Sequence, residues 1–365
     1  MRVYAPLPLI NSWRNLTAIL FSPELTRTYR VIASARVNYM SRHGKENSKN
    51  YGYGNQLEYA TKNALNEHYG GGHFKTVAAH IDRSRLFYDW LHSEYGIRDA
   101  RKITNDIFLE YALYLKLLLV EGEIAISTAT NRVSSVNVVL EVMRGDRKIR
   151  IGKIADSLGQ KRSYIRRSIP DGMDLQQVAE LRKQLIAAGY PRAAAIIWLA
   201  RAAGMRLREC ILADLSRLQR EALKGRINIQ EGCKGGRSGG FAPRWVVVTD
   251  EIVAALSYAR QVSPPGSCNL LEPTETYVQF QRQQVNAVRP LMQLNSIKGP
   301  HELRAAFACD RYMDLVGIRP PVFPRPENIN EKYREAIRAA RQIISHELGH
   351  GRIEVTNSYV GSENR

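Results

Sequence analysis

The sequence predicts a two-domain, mainly helical protein whose second domain also carries a small antiparallel β-sheet. Three observations predict it. The chain has 365 residues, enough for two cores of ordinary size. Apolar residues recur at helical spacing over most of its readable length. Two β-rich runs, Arg226 to Gln230 and Arg244 to Thr249, flank the Gly-rich stretch Gly232 to Gly240, a hairpin pattern.

The elements follow in order. Residues 1–60 are polar and irregular, with a helical pattern only near Glu24 to Tyr39, and they are set apart as an N-terminal arm or assembly segment. Residues 61–145 form a helical domain. After the break at Gly70 to Gly72, a helix from Phe74 buries Phe74, Val77, Ala78, Ile81, Tyr88 and Leu91. A second, N-capped by Thr104, buries Ile107, Tyr111, Tyr114 and Leu118. A third, from about Thr128, turns Val133, Val136, Leu140 and Met143 inward. Residues 146–170 read as a basic linker ending at Pro170-Asp171-Gly172. Residues 171–365 make the mixed domain: helical patterns from Asp174, the hairpin, then mostly helix. Pro320 to Pro326 interrupts rigidly before a helix near Glu327 to Ile344.

Charge narrows the partner. Lys plus Arg total 53 against 35 Asp plus Glu, a net +18, which favours a polyanion and above all nucleic acid. Around the linker, Arg144, Arg147, Lys148, Arg150, Lys161, Arg162, Arg166 and Arg167 suit a phosphate backbone, where each neutralised phosphate releases counterions. A merely solvated charge run is the competing reading. No apolar run is long enough to span a membrane, and the N-terminus makes a poor signal peptide, so a cytoplasmic, nucleoid-associated protein is expected. Cys210, Cys233, Cys268 and Cys309 include no C-x-x-C pair, against a zinc knuckle or a disulfide scaffold.

Four separated segments of the second domain carry chemistry. They are Gly204-Met205-Arg206-Leu207-Arg208-Glu209, Lys234 in the hairpin turn, His301-Glu302-Leu303-Arg304, and Leu348-Gly349-His350 with Tyr359 nine residues on. Each alone is weak, since Arg, Lys and His are common. Order and spacing together are specific.

In these segments the sequence resembles the tyrosine site-specific recombinases (phage and mobile-element integrases), whose pattern is G-x-R-x-x-E, a hairpin lysine, H-x-x-R, and L-G-H followed by tyrosine. The resemblance covers roughly residues 74–365. It implies a DNA clamp, with a helical core-binding domain on one side and an α+β catalytic domain on the other. Carried over residue by residue, Tyr359 is the nucleophile, Arg206 and Arg304 bind the phosphate, Lys234 is the general acid, and His301 accepts the tyrosine proton. His350 hydrogen-bonds the phosphate, and Glu209 supports the first arginine. It further implies strand exchange on double-stranded recombination sites through a Holliday junction. The assembly would be a homo-tetramer on DNA, formed from free monomers or dimers, with an accessory DNA-bending or directionality protein.

The chemistry asks for these residue types in any case. Attack on a phosphodiester builds charge on the non-bridging oxygens, which two guanidinium forks bind bidentately. A phenol, with a pKa of ~10, must lose its proton as it attacks, and the 5′ alkoxide must gain one. No metal, ATP or other cofactor is called for.

Three of these assignments have rivals in the sequence. Arg208 is two residues from Arg206, but Gly204 and Glu209 set the register for Arg206. Lys224 precedes the first β-run, so Lys234 is preferred. His346-Glu347-Leu348-Gly349-His350 matches the zinc-protease signature H-E-x-x-H. It lacks a third ligand further on, and Gly349 is unfavourable inside a metal-binding helix. Integration and excision of a mobile element is the leading function. A chromosome-dimer resolving recombinase, a non-catalytic DNA-binding regulator and an RNA-binding protein are the alternatives.

Overall fold

The computed structural model describes residues 47–233, 243–324 and 332–363. The chain divides into two compact units after Ser163. The helical pattern at Glu24 to Tyr39, Lys234 and most of the Gly232 to Gly240 turn lie outside the described residues.

The first unit contains α1 (Leu57–His68), α2 (Phe74–Tyr95), α3 (Asn105–Val120), α4 (Ile126–Arg144) and the short α5 (Ile154–Leu158). Helices α1, α2 and α4 pack on one another, and α3 closes the group with α5. Phe87, Leu91, Phe108, Tyr111 and Leu140 fill the centre. Helix α4 buries Val133, Val136, Leu140 and Met143, the face its spacing predicts. In α3, Thr104 caps the helix by accepting from Ile107 N at 3.3 Å, but the inward face is Phe108, Tyr111, Ala112 and Leu115. Tyr114 stays 39% exposed. This helix is apolar on nearly every side, so spacing could not choose its buried face. Phe74 likewise opens α2 in solvent, at 77% exposure.

The basic stretch after Arg144 is partly core. Ile149, Ile151 and Leu158 are buried in the first unit. The Asn137 side chain donates to Ile151 O at 2.9 Å and accepts from Ile151 N at 3.0 Å, replacing the pairing an extended segment otherwise lacks.

The second unit contains α6 (Leu175–Ala187), α7 (Pro191–Ala203), α8 (Leu207–Leu212) and α9 (Leu215–Ala222), followed by strands β1 (Arg226–Asn228) and β2 (Trp245–Val247). Then come α10 (Asp250–Gln261), α11 (Tyr277–Phe280), a π-turn at Gln281–Asn286, α12 (Arg289–Leu294), α13 (Pro300–Val316), α14 (Lys332–Glu347) and α15 (Asn357–Val360). The strands pair antiparallel with Ile227 opposite Val246. Helix α7 is the core's axis: from Ala193 to Ala203 every residue but Trp198 is buried. Its alanines let α6, α10 and α13 approach closely, the packing that ridges of small side chains permit. No described helix is long and apolar enough to cross a membrane.

Candidate active site

Gly204 ends α7 with φ +59°, and a Cβ there would stand 2.4 Å from Phe307 Cδ1. Only glycine fits both the left-handed turn and the contact. The turn releases Arg206 as the N-cap of α8, where Arg206 N donates to Glu209 Oε2 at 2.6 Å and Nη1 to Oε1 at 2.7 Å. This is the physical content of G-x-R-x-x-E.

Glu209 is fully buried, and three guanidiniums surround it. Besides Arg206, Arg244 pairs with it directly, and Arg304 Nη1 lies 3.8 Å from Oε2. Burial pushes its carboxyl up, but Arg244, Arg304 and Arg206 more than offset this and hold it at about 2. One carboxylate among three arginines leaves an excess of positive charge, the balance an anion site needs.

Arg304, on the first turns of α13, is fully buried. It donates through Nη1 to Gly204 O, through Nη2 to Leu348 O at 2.5 Å, and through Nε to Tyr359 Oη at 3.3 Å. Burial and the neighbouring Arg244 lower it to about 10, still a cation at neutral pH.

The L-G-H segment is a helix stop. Helix α14 ends at Glu347, Gly349 takes φ +64°, and His350 N donates back to Ser345 O at 2.7 Å, a Schellman closure. The closure exposes Leu348 O to Arg206 Nη2 at 3.2 Å as well as to Arg304, and it turns His350 inward. A Cβ on Gly349 would meet Arg244 Cδ at 3.0 Å. Because the helix stops there, His346 and His350 do not share a helical face, and Glu347 is engaged by Arg311 at 2.8 and 2.9 Å.

His350 Nε2 is the meeting point. Arg206 Nη2 lies 3.2 Å away, Arg304 Nη2 3.4 Å and Tyr359 Oη 3.1 Å. Burial, then Arg206, Arg304 and Arg244, lower its pKa to about 3, so the ring is neutral. His301 packs its ring on Tyr359, centroids 5.4 Å apart, and burial followed by Arg304 lowers it too. Tyr359 itself is only 3% exposed.

Thus Arg206, Glu209, His301, Arg304, His350 and Tyr359 converge within the second unit, although they are spread over more than 150 residues of sequence. Sequence reading missed Arg244, which stands just before β2 and is 2% exposed. It donates to Glu347 O at 2.8 Å and to Gly204 O at 3.0 Å, tying the hairpin to both motif turns. No motif marks it; its signal is a basic residue opening a short strand.

The basic residues near the linker divide. Arg144 pairs with Asp146 at 3.1 Å and Arg166 pairs with Glu302, with side chains 16% and 11% exposed. Arg162 donates to Asn131 at 3.3 Å. Arg147, Lys148, Arg150, Lys161 and Arg167 face solvent, Arg147 and Arg150 sharing Glu141 at 2.8 and 2.9 Å. Of the cysteines, Cys210 and Cys309 are buried, Cys233 is intermediate and Cys268 exposed.

Comparisons with known proteins bear on the fold and on part of the second unit. Residues 164–310 match the family model described as Integrase. The chain is similar to a Tn1549 transposon integrase solved in complex with circular intermediate DNA, with 14% identity, TM-score 0.53, and 83% of this chain and 94% of that chain covered. It is similar also to that integrase solved with transposon right end DNA, with 15% identity, TM-score 0.51, and 84% and 95% covered. A XerA recombinase structure aligns over 84% and 94% at 16% identity, with TM-score 0.35. No curated protein matches the sequence. Residues 164–310 of the second unit thus match an integrase family model, and the fold is shared with the Tn1549 transposon integrase.

Proposed function

We propose that the chain is a site-specific DNA recombinase that cuts and rejoins DNA through a 3′-phosphotyrosine, serving a mobile genetic element. The observation that carries it is the approach of Tyr359 Oη to Arg304 Nε and His350 Nε2, at 3.3 and 3.1 Å, within one chain. An oxyanion placed at this point would meet both a guanidinium and an imidazole.

Tyr359 Oη attacks the scissile phosphorus, the P–O5′ bond breaks, and the 5′ oxygen leaves as a hydroxyl once protonated. Arg206 and Arg304 stabilise the five-coordinate phosphorus, donors of the preorganised kind that supply much of a rate enhancement. Lys234 delivers the proton to the leaving oxygen. The phenol's proton passes to a neutral imidazole. His301 is the acceptor implied by the family resemblance, and His350 Nε2 is the imidazole nitrogen that lies 3.1 Å from the phenol oxygen. A 5′-hydroxyl from the same or a partner duplex reverses the attack and reseals the strand.

Arg147, Lys148, Arg150, Lys161 and Arg167 contact the DNA backbone in this reading, and Arg144 and Arg166 shape the chain around them. A homo-tetramer on two recombination sites and an accessory bending protein complete the reaction. The similar structures were solved with transposon DNA, which supports a mobile-element role over chromosome-dimer resolution.

The test is covalent trapping. Incubated with a pool of nicked random-sequence duplexes, the chain should give a detergent-resistant protein–DNA adduct, with the DNA 3′ end on the peptide containing Tyr359. Sequence-selective binding with no adduct would instead mark a non-catalytic regulator.

A further inference from the structure

Arg341 lies in none of the motifs. It sits on α14, two turns before the L-G-H stop, and is 6% exposed. Its Nη1 donates to Thr356 Oγ1 and Asn357 Oδ1, both at 2.9 Å. Its Nη2 donates to Gly361 O at 2.8 Å and to Glu363 Oε1 at 3.1 Å. These four acceptors flank Tyr359 on both sides, from three residues before it to four after.

Helix α15, which carries Tyr359, is four residues long. A single turn that short does not hold itself. The planar guanidinium fork fixes the direction of each bond it makes, and here every bond ends within eight residues around the phenol. Two further contacts reinforce the grip. Tyr312 Oη, on a fully buried ring, donates to Glu363 Oε1 at 3.1 Å, and Val322 N donates to Val360 O at 3.1 Å. All four acceptors lie in the one short segment that carries Tyr359.

We propose that Arg341 is a positioning residue: it fastens the Tyr359 helix to α14, so that a chain's own phenol meets the phosphate held by that same chain's Arg206 and Arg304. This rests on the reading of Tyr359 as nucleophile. Arg341 acts through that helix and touches no reacting atom.

The test uses the full chain and a nicked duplex recovered by covalent trapping with the wild type. Single-turnover adduct formation at saturating protein should slow by about 100-fold in R341M, the scale of loss expected from an ångström of misplacement. Affinity for the duplex should not change. R341K, which keeps the charge without the fork, should recover part of the rate. A wild-type rate in R341M overturns the proposal, as does a loss of affinity as large as the loss of rate, which would show general damage. Should R341M not fold, the same rate and affinity comparison on R341K decides. Absence of adduct from the wild type would overturn the reading of Tyr359 as nucleophile, and the role of Arg341 with it, whereas a wild-type rate in R341M overturns the role of Arg341 alone.

Discussion

His350 Nε2 stands 3.1 Å from Tyr359 Oη. Arg206 Nη2 and Arg304 Nη2, which can only donate, also face this nitrogen, so it is the ring's acceptor and the phenol is aligned to donate to it. His350 is neutral, with its pKa lowered to about 3 by burial and by the flanking arginines. A neutral ring accepts at Nε2; having taken a proton, it could donate to a phosphate oxygen in the same place.

This arrangement ranks the two histidines. His350→Ala should lower single-turnover adduct formation by about 10²–10⁴-fold, the range for a lost acid–base group, and His301→Ala by less. The reverse order, measured on one trapped duplex, would return the proton to His301.

Acid should unfold the second unit early. His350 titrates near 3 when folded and at ~6.5 unfolded, so the unfolded chain takes its proton first as pH falls. Its stabilisation is complete above the unfolded value and is lost as pH drops toward the folded one. Glu209, at about 2 folded against ~4.3 unfolded, adds loss of the same sign at lower pH. The urea midpoint should fall from pH 7 to pH 4; a flat midpoint would contradict the buried charge arrangement.

Arg244 should matter as much as the motif residues. Arg244→Met removes a partner of fully buried Glu209 and two carbonyl contacts. A loss of about 3–5 kcal/mol in denaturant-measured stability is expected, the cost of breaking a buried pair from one side. A loss below about 1 kcal/mol would mean that the site relaxes freely around the gap.

Gly204→Ala should cost about 1–3 kcal/mol, because the methyl overlaps Phe307 and the residue has positive φ. Adding Phe307→Leu should restore the steric part alone. Full restoration would show that the backbone angle costs nothing.

The candidate site was more legible than the fold around it. Gly204, Glu209 and Gly349 are required by turns that shape the cluster, so they leave a spaced pattern, and the resemblance of that pattern to the tyrosine recombinases pointed to Arg206, Arg304 and His350. Arg244 and Arg341 were invisible because their partners are mainly backbone carbonyls and side chains far off in sequence, which leave no local pattern. The buried face of α3 was unreadable because the helix is apolar all round. Arg144 and Arg166 show the limit of charge counting: composition registers a cation and not the acid that covers it.

Binding should be dominated by phosphates. If six or more are neutralised, affinity for a trapped duplex should drop by ~10³-fold or more between about 50 and 200 mM salt. A weak salt response would leave the exposed cations of Arg147, Lys148, Arg150, Lys161 and Arg167 without their assigned task.

The most direct measurement is adduct formation by Tyr359→Phe on a nicked duplex that the wild type traps. The variant lacks one oxygen atom at a site otherwise intact. It should bind that duplex with wild-type affinity and form no covalent product at any time. A covalent product from the variant would place the nucleophile elsewhere and remove the basis of the proposed reaction.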